Sequence, residues 1–276
     1  MQQPIWKDAV AIITGGGSGI GRALANAMAK RGAIVIVTDI DQDKARMVAD
    51  ECGVKAQSFL VDVRDANQVN EMVQQVHQQF GKIDCIFNNA GIGIAGETHE
   101  IPAPLWDRII DINLKGVLNG VLAAYPIMVK QGHGYIINTA SLAGLGPAAL
   151  MAPYAMTKHA VVGLSHSLRL EAANYGVQVN VLCPSAIETP ILDSTNPTDL
   201  PAVPWTPDAR RYLTNLAAPP YPVEKMAEEV LSAIEKNKST IVLPAKARFA
   251  WVMGRLFPGL VEKLAAKALK IERQSR

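Results

Sequence analysis

Along the first two-thirds of the chain, short apolar and β-branched runs alternate with longer stretches of helical periodicity. The runs Ala9–Thr14, Ile34–Asp39, Gln57–Val61, Cys85–Asn88, Tyr135–Thr139, Gln178–Leu182 and Thr240–Leu243 are mostly unbroken in apolar residues, as strands covered on both faces of a sheet require. Between them, Ile20–Arg31, Asp41–Cys52, Ala66–Phe80, Leu105–Lys130, Tyr154–Tyr175 and Glu224–Lys236 place apolar positions at helical spacing. Such alternation predicts βαβ units. The expected fold class is α/β: a doubly wound sheet of seven parallel strands with helices on both faces, one catalytic domain over residues 1–244.

One segment breaks the rhythm. Between Pro184 and Pro222 lie nine of the chain's 17 prolines, a stretch too long for an ordinary connection. Its scattered apolar residues (Ile191, Leu192, Leu200, Val203, Trp205, Leu213, Leu216) suit a lid over about 185–222 that closes on an apolar ligand. A packed surface excursion is the alternative. Residues 245–276 form a C-terminal extension. In it, the apolar Phe249–Phe257 is followed, from Gly259, by an amphipathic pattern with Leu260, Val261, Leu264, Ala268 and Ile271 near one face.

Composition narrows the possibilities. With 276 residues, 49% hydrophobic and 19% charged, the chain lies far from disorder, and folding should bury about 75% of its extended surface. Cys52, Cys85 and Cys183 lack the spacing of a disulfide framework or a structural zinc site, and the five histidines lack metal-ligand spacing, so no metal is expected. No apolar run reaches the roughly 20 residues of a membrane span, and Met1–Lys7 lacks a secretory pattern. A cytoplasmic location is expected. The net charge of +2 conceals an asymmetry: Lys246–Arg276 holds eight basic and two acidic side chains, a local +6, leaving −4 on the other 245 residues. A mildly acidic body does not invite nucleic acid.

The first strand runs into Thr14-Gly15-Gly16-Gly17-Ser18-Gly19-Ile20-Gly21 and then a helix. Amides at a helix N-terminus attract phosphate, and glycines let backbone approach a pyrophosphate where a Cβ would collide. Asp39, at the end of the second strand and followed by Ile40, can accept bonds from both ribose hydroxyls of an adenosine. It would repel a 2′-phosphate by up to about 4 kcal/mol. Ser18 offers that phosphate no compensating charge, so NAD is expected over NADP.

Further motifs follow in order: Asn88-Asn89-Ala90-Gly91 after the fourth strand, Asn113 in the next helix, Ser141 after the fifth strand, and Tyr154 with Lys158 opening the helix beyond. With the glycine-rich loop, this ordered set resembles the short-chain dehydrogenase/reductase family from about Asp8 to Leu243. Tyr154 and Lys158, four apart, share a helix face, and a nearby ammonium favours the phenolate. Tyr154 is then the expected general acid/base, and Ser141 the holder of the substrate oxygen. Singly, these residues have plain alternatives: a helix-surface pair, a turn cap, turn formers at Asn88 and Asn89.

The resemblance implies that Lys158 binds the nicotinamide ribose and that Asn113 anchors a water linking that lysine to solvent. It also implies cofactor contacts from Gly15, Gly17, Ser18, Gly19, Ile20 and Gly21, from Val63, from Asn89, Ala90 and Gly91, and from Pro184, Ile187 and Thr189, the last at the carboxamide. Asp62 would touch the adenine, or only cap the following helix. Ser185 replaces the family's glycine, and strain is expected if that position needs positive φ. A homo-oligomer, dimer or tetramer, is also implied.

The candidate substrate walls Ile92–Ala95 and Leu142–Met151 contain no charge, and in the lid only Arg210 and Arg211 could meet an anion. An apolar secondary alcohol or ketone is expected. A 3-oxoacyl reductase using NADPH, or a non-catalytic NAD-binding protein docking on membranes, are the rival functions. The tail helix can contact a membrane surface peripherally, or pack on the pocket mouth or a neighbouring subunit.

Overall fold

The computed structural model describes residues 5–216 and 219–276, and the side chains of Asn215 and Leu216 are left aside. Met1–Pro4 of the N-terminal segment, Ala217 and Ala218 of the expected lid, and the Leu216 side chain therefore lie outside the described residues. The chain forms the expected sheet: β1 (Val10–Thr14), β2 (Ile34–Asp39), β3 (Gln57–Leu60), β4 (Cys85–Asn88), β5 (Gly134–Thr139), β6 (Val177–Pro184) and β7 (Thr240–Leu243), all parallel in the order β3-β2-β1-β4-β5-β6-β7. Every residue of β1 and β4 is buried, which explains their unbroken apolar pattern.

Helices α1 (Gly19–Lys30) and α2 (Gln42–Cys52) cover one face with α8 (Val223–Glu235), around Trp6, Leu24, Met28 and Ile234. On the other face lie α3 (Ala66–Phe80), α5 (Gly116–Gln131) and α6 (Ala152–Ala172). Local chemistry sets several ends: Asp41 accepts from the Lys44 amide at the start of α2, and Gly81 ends α3 with φ +72°.

Three expectations need correction. The helix expected over Leu105–Lys130 is α4 (Ala103–Ile110) and α5 joined by a π-helical turn, Asp111–Lys115, which contains Asn113. By length and hydropathy Ala103–Gln131 is long and apolar enough to span a membrane; half of its most apolar window is buried within the fold. The lid contains a helix, α7 (Ala209–Leu216), and a short turn at Pro190–Leu192. The C-terminal extension holds two helices, α9 (Ala245–Leu256) and α10 (Pro258–Arg273), rather than one.

Candidate active site

At the carboxyl edge of the sheet the connection from β1 runs to one face and that from β4 to the other, and a cavity of about 910 Å³ opens there. The β1–α1 loop bounds one end. Gly15 and Gly19 adopt φ of +61° and +51°, the region open to glycine, and both line the cavity with Ser18 and Ile20. Gly17 and Gly21, also expected to touch cofactor, lie behind the wall. A Cβ on Gly21 would stand 2.1 Å from the Gly15 carbonyl oxygen, and one on Gly17 would stand 2.9 Å from Asp39 Oδ2. They shape the loop instead of lining it. No side chain caps α1, so its first amides remain available to an anionic ligand.

Asp39 is fixed by that loop. Its Oδ2 accepts from the Gly17 amide at 2.9 Å and its Oδ1 from the Asp41 amide at 3.1 Å, which holds the carboxylate at the cavity wall beside Ile40. Asp62 and Val63 line the next stretch. Asp65, rather than Asp62, caps α3 through the Asn67 and Gln68 amides. Asp62 pairs with Arg64, whose guanidinium holds the carboxyl below its ordinary range. Asn89, Ala90 and Gly91 complete this half of the wall. The Asn89 side chain braces the loop, donating to the carbonyls of Thr14 at 3.1 Å and Gly15 at 3.3 Å. Asn88 is not a turn former: it is buried and donates to Asn138 Oδ1 at 2.8 Å. A glycine cradle, uncapped helix amides and a carboxylate at the β2 end fit a dinucleotide.

Ser141, Tyr154 and Lys158 all line the cavity. Ser141 Oγ accepts from the Ala143 amide at 3.2 Å, so the serine caps a short turn while facing the cavity. Lys158 is 3% exposed, and its ammonium donates to the Thr139 carbonyl at 2.8 Å, 5.5 Å from the centre of the Tyr154 ring. Burial lowers the Lys158 pKa to about 8. The groups that shift Tyr154 do not include Lys158. Burial raises the Tyr154 pKa, and the Ser141 hydroxyl offsets part of that. Cys183, whose thiol burial pushes up to about 12, packs nearby; the sequence offered no sign of it.

Asn113 lies outside the cavity wall. It is fully buried, accepts from the Ile92 amide at 2.9 Å and donates to the Ile92 carbonyl at 2.9 Å. A Cβ on Gly91 would fall 3.2 Å from Asn113 Oδ1 and 3.5 Å from Lys158 Nζ, so the two side chains flank that glycine. Pro184, Ile187 and Thr189 line the cavity, and Thr189 Oγ1 donates to the Ile187 carbonyl at 3.1 Å. Ser185 carries no positive φ, and its amide donates to Leu243 at 2.8 Å, so the expected strain is absent. The strained residue near the site is Leu150, buried with φ +62°.

Lid and tail supply the remaining walls. Leu200 and Val203 pack on Ile94, Ile101 and Leu105, and Asn196 exchanges two hydrogen bonds with the backbone of Ala95. Arg210 forks between Glu188 and Asp193, and Arg211 binds Glu272, which is 1% exposed. Neither arginine is left for a substrate anion. Arg108 and Lys246, which sequence reasoning missed, also line the cavity; Arg108 pairs with Asp199. Trp251, Val261 and Leu264 of the tail join the wall. Among the described residues, no three metal-ligating side chains converge.

Residues 9–200 match the short chain dehydrogenase family. Levodione reductase of Leifsonia aquatica is 37% identical over 196 residues, 69% of this chain and 73% of that protein. Probable oxidoreductase EphD of Mycobacterium tuberculosis is 33% identical over 269 residues, 94% of this chain; the chain spans only 45% of that protein's length. A solved short chain dehydrogenase/reductase from Burkholderia phymatum, in complex with NAD, superposes with a TM-score of 0.84 at 29% identity, covering 94% of this chain and 96% of the other. The chain belongs to the short-chain dehydrogenase/reductase family and is an oxidoreductase of the CH–OH group.

Proposed function

We propose that the protein transfers hydride between NAD and an apolar secondary alcohol or ketone, with Tyr154 as general acid/base. The observation that carries this reading is the meeting of Ser141, Tyr154 and Lys158 on one cavity whose lid arginines are already paired. The α1 amides and the Gly15–Ile20 loop would hold the pyrophosphate, Asp39 the adenosine ribose, Lys158 the nicotinamide ribose and Thr189 the carboxamide. NAD supplies, when bound, the hydride acceptor and a positive ring. Ser141 positions the substrate oxygen, and Tyr154 takes its proton in oxidation or returns it in reduction. The lid and tail keep water from that oxygen.

Asp39 supports NAD over NADP, because its anion stands where a 2′-phosphate would need a cation. The NAD-bound Burkholderia relative is consistent with this choice. A homo-oligomeric state and a cytoplasmic location, which suits three free cysteines, belong to the same reading.

The test is a panel of secondary alcohols of graded size, followed by nicotinamide absorbance with NAD and separately with NADP, on the wild type and Tyr154→Phe. Turnover with NAD should favour apolar substrates and fall about 10²–10⁴-fold in the variant while NAD binding persists. Unchanged turnover in Tyr154→Phe would sink the mechanism. Preference for NADP with 3-oxoacyl substrates would replace it with the biosynthetic reductase.

A further inference from the structure

The C-terminal helices present an exposed apolar stripe that the proposed redox chemistry does not use. On α9, Phe249, Val252 and Leu256 recur at helical spacing and are 69%, 44% and 65% exposed. On α10, Leu260, Leu264 and Ile271 form a second stripe, 51%, 57% and 47% exposed, and Phe257 between the helices is 54% exposed. The opposite faces are occupied: Trp251, Gly254 and Val261 line the cavity, and Glu272 is held by Arg211 of α7. Beside the stripes run Arg248 and Arg255 on α9, and Lys263, Lys267 and Lys270 on α10. None of these five cations forms a salt bridge among the described residues, whereas Arg273 and Arg276 beyond them pair with Glu97 and Glu100. Leu264 is at once exposed and part of the cavity wall, so the stripe reaches the mouth of the site.

We propose that α9 and α10 form a docking face for an anionic membrane surface. The apolar stripes enter the headgroup boundary and the five cations meet lipid phosphates. Charge selects this occupant: the face carries five cations with no salt bridge among the described residues, so a second copy of the same face would set cation against cation. The mouth beside Leu264 then opens toward lipid, and an apolar substrate held in the bilayer reaches it without crossing water. That last step rests on the proposed substrate class; the docking itself does not.

The test is co-sedimentation of the full chain with vesicles of equimolar phosphatidylcholine and phosphatidylglycerol, and with phosphatidylcholine alone. Binding is expected on the anionic vesicles only. It should weaken about tenfold in Lys263→Glu/Lys267→Glu, and similarly in Phe249→Ser/Leu256→Ser. All four side chains lie outside the cavity wall and the core, so both variants should keep the wild-type melting temperature. Failure of the wild type to pellet with either vesicle, or equal binding by the variants, overturns the proposal. So does sedimentation velocity in which Phe249→Ser/Leu256→Ser dissociates an oligomer, because the face then belongs to a second copy. No outcome depends on turnover, so loss of the redox reading leaves this one standing.

Discussion

The cradle between β1, β2 and β4 and the cover made by the lid and the C-terminal helices share one cavity, but different forces hold them. The cradle is steric: glycines at Gly15 and Gly21 let one loop fold on itself, and Asp39 and Asn89 are locked to backbone at 2.9–3.3 Å. The cover is held by ion pairs, Arg210 to the exposed Glu188 and Asp193 and Arg273 to the buried Glu97, and by Leu200 and Val203 packed on Ile94. Surface pairs are individually weak, whereas a backbone clash cannot be screened or relaxed cheaply. The structure thus joins a rigid surface for a common chemistry to a looser one where selectivity can vary.

The comparison can be broken at either side. On the cradle, Asp39→Ser should shift the preference between NADP and NAD by up to about 10³-fold, measured as the ratio of kcat/KM, because a repulsion of about 4 kcal/mol is removed. An unchanged ratio would mean that Asp39 only supports the loop.

A somewhat smaller effect is expected in pH. Burial lowers the Lys158 pKa to about 8 from 10.5, so at neutral pH the folded chain carries a buried charge at a cost of up to about 3 kcal/mol. Between these values the unfolded chain binds more protons, and stability rises with pH. The melting temperature of the wild type, measured against Lys158→Met, should therefore climb from about pH 7 to about pH 10. A difference that does not change with pH would remove the claim.

Gly21→Ala places a methyl group against the Gly15 carbonyl and should cost about 1–3 kcal/mol by chemical denaturation, with weaker NAD binding. On the cover, Arg210→Ala, whose partners Glu188 and Asp193 are exposed, should leave the melting temperature nearly unchanged and raise KM by about fivefold at most, an effect that fades at high salt. A large loss of stability in Arg210→Ala would erase the contrast between the two regions.

Much of the cradle could be read in advance. The alternation of strands and helices, the glycine loop, Asp39 at the end of β2 and the Ser141–Tyr154–Lys158 set follow from local pattern, because each depends on backbone conformation and spacing along the chain. What could not be read involves contacts between distant segments. No local pattern shows that the Asn113 side chain pairs with the backbone of Ile92, 21 residues away, where a π-helical turn carries it inward. Arg210 and Arg211 looked free until Glu188, Asp193 and Glu272 were brought beside them. Ser185 looked strained only because the backbone angle at that position could not be known.

The sequence by itself determined the α/β class, the order of the motifs and the basic charge of the tail, since periodicity, glycine geometry and net charge are properties of the chain. Only the tertiary structure decided which charges are spent on one another, which glycines touch the cavity, and that the tail caps the pocket while leaving an apolar stripe outward. Burial and long-range pairing are properties of the packed molecule, and they also decide whether Tyr154 and Lys158 keep their ordinary proton affinities.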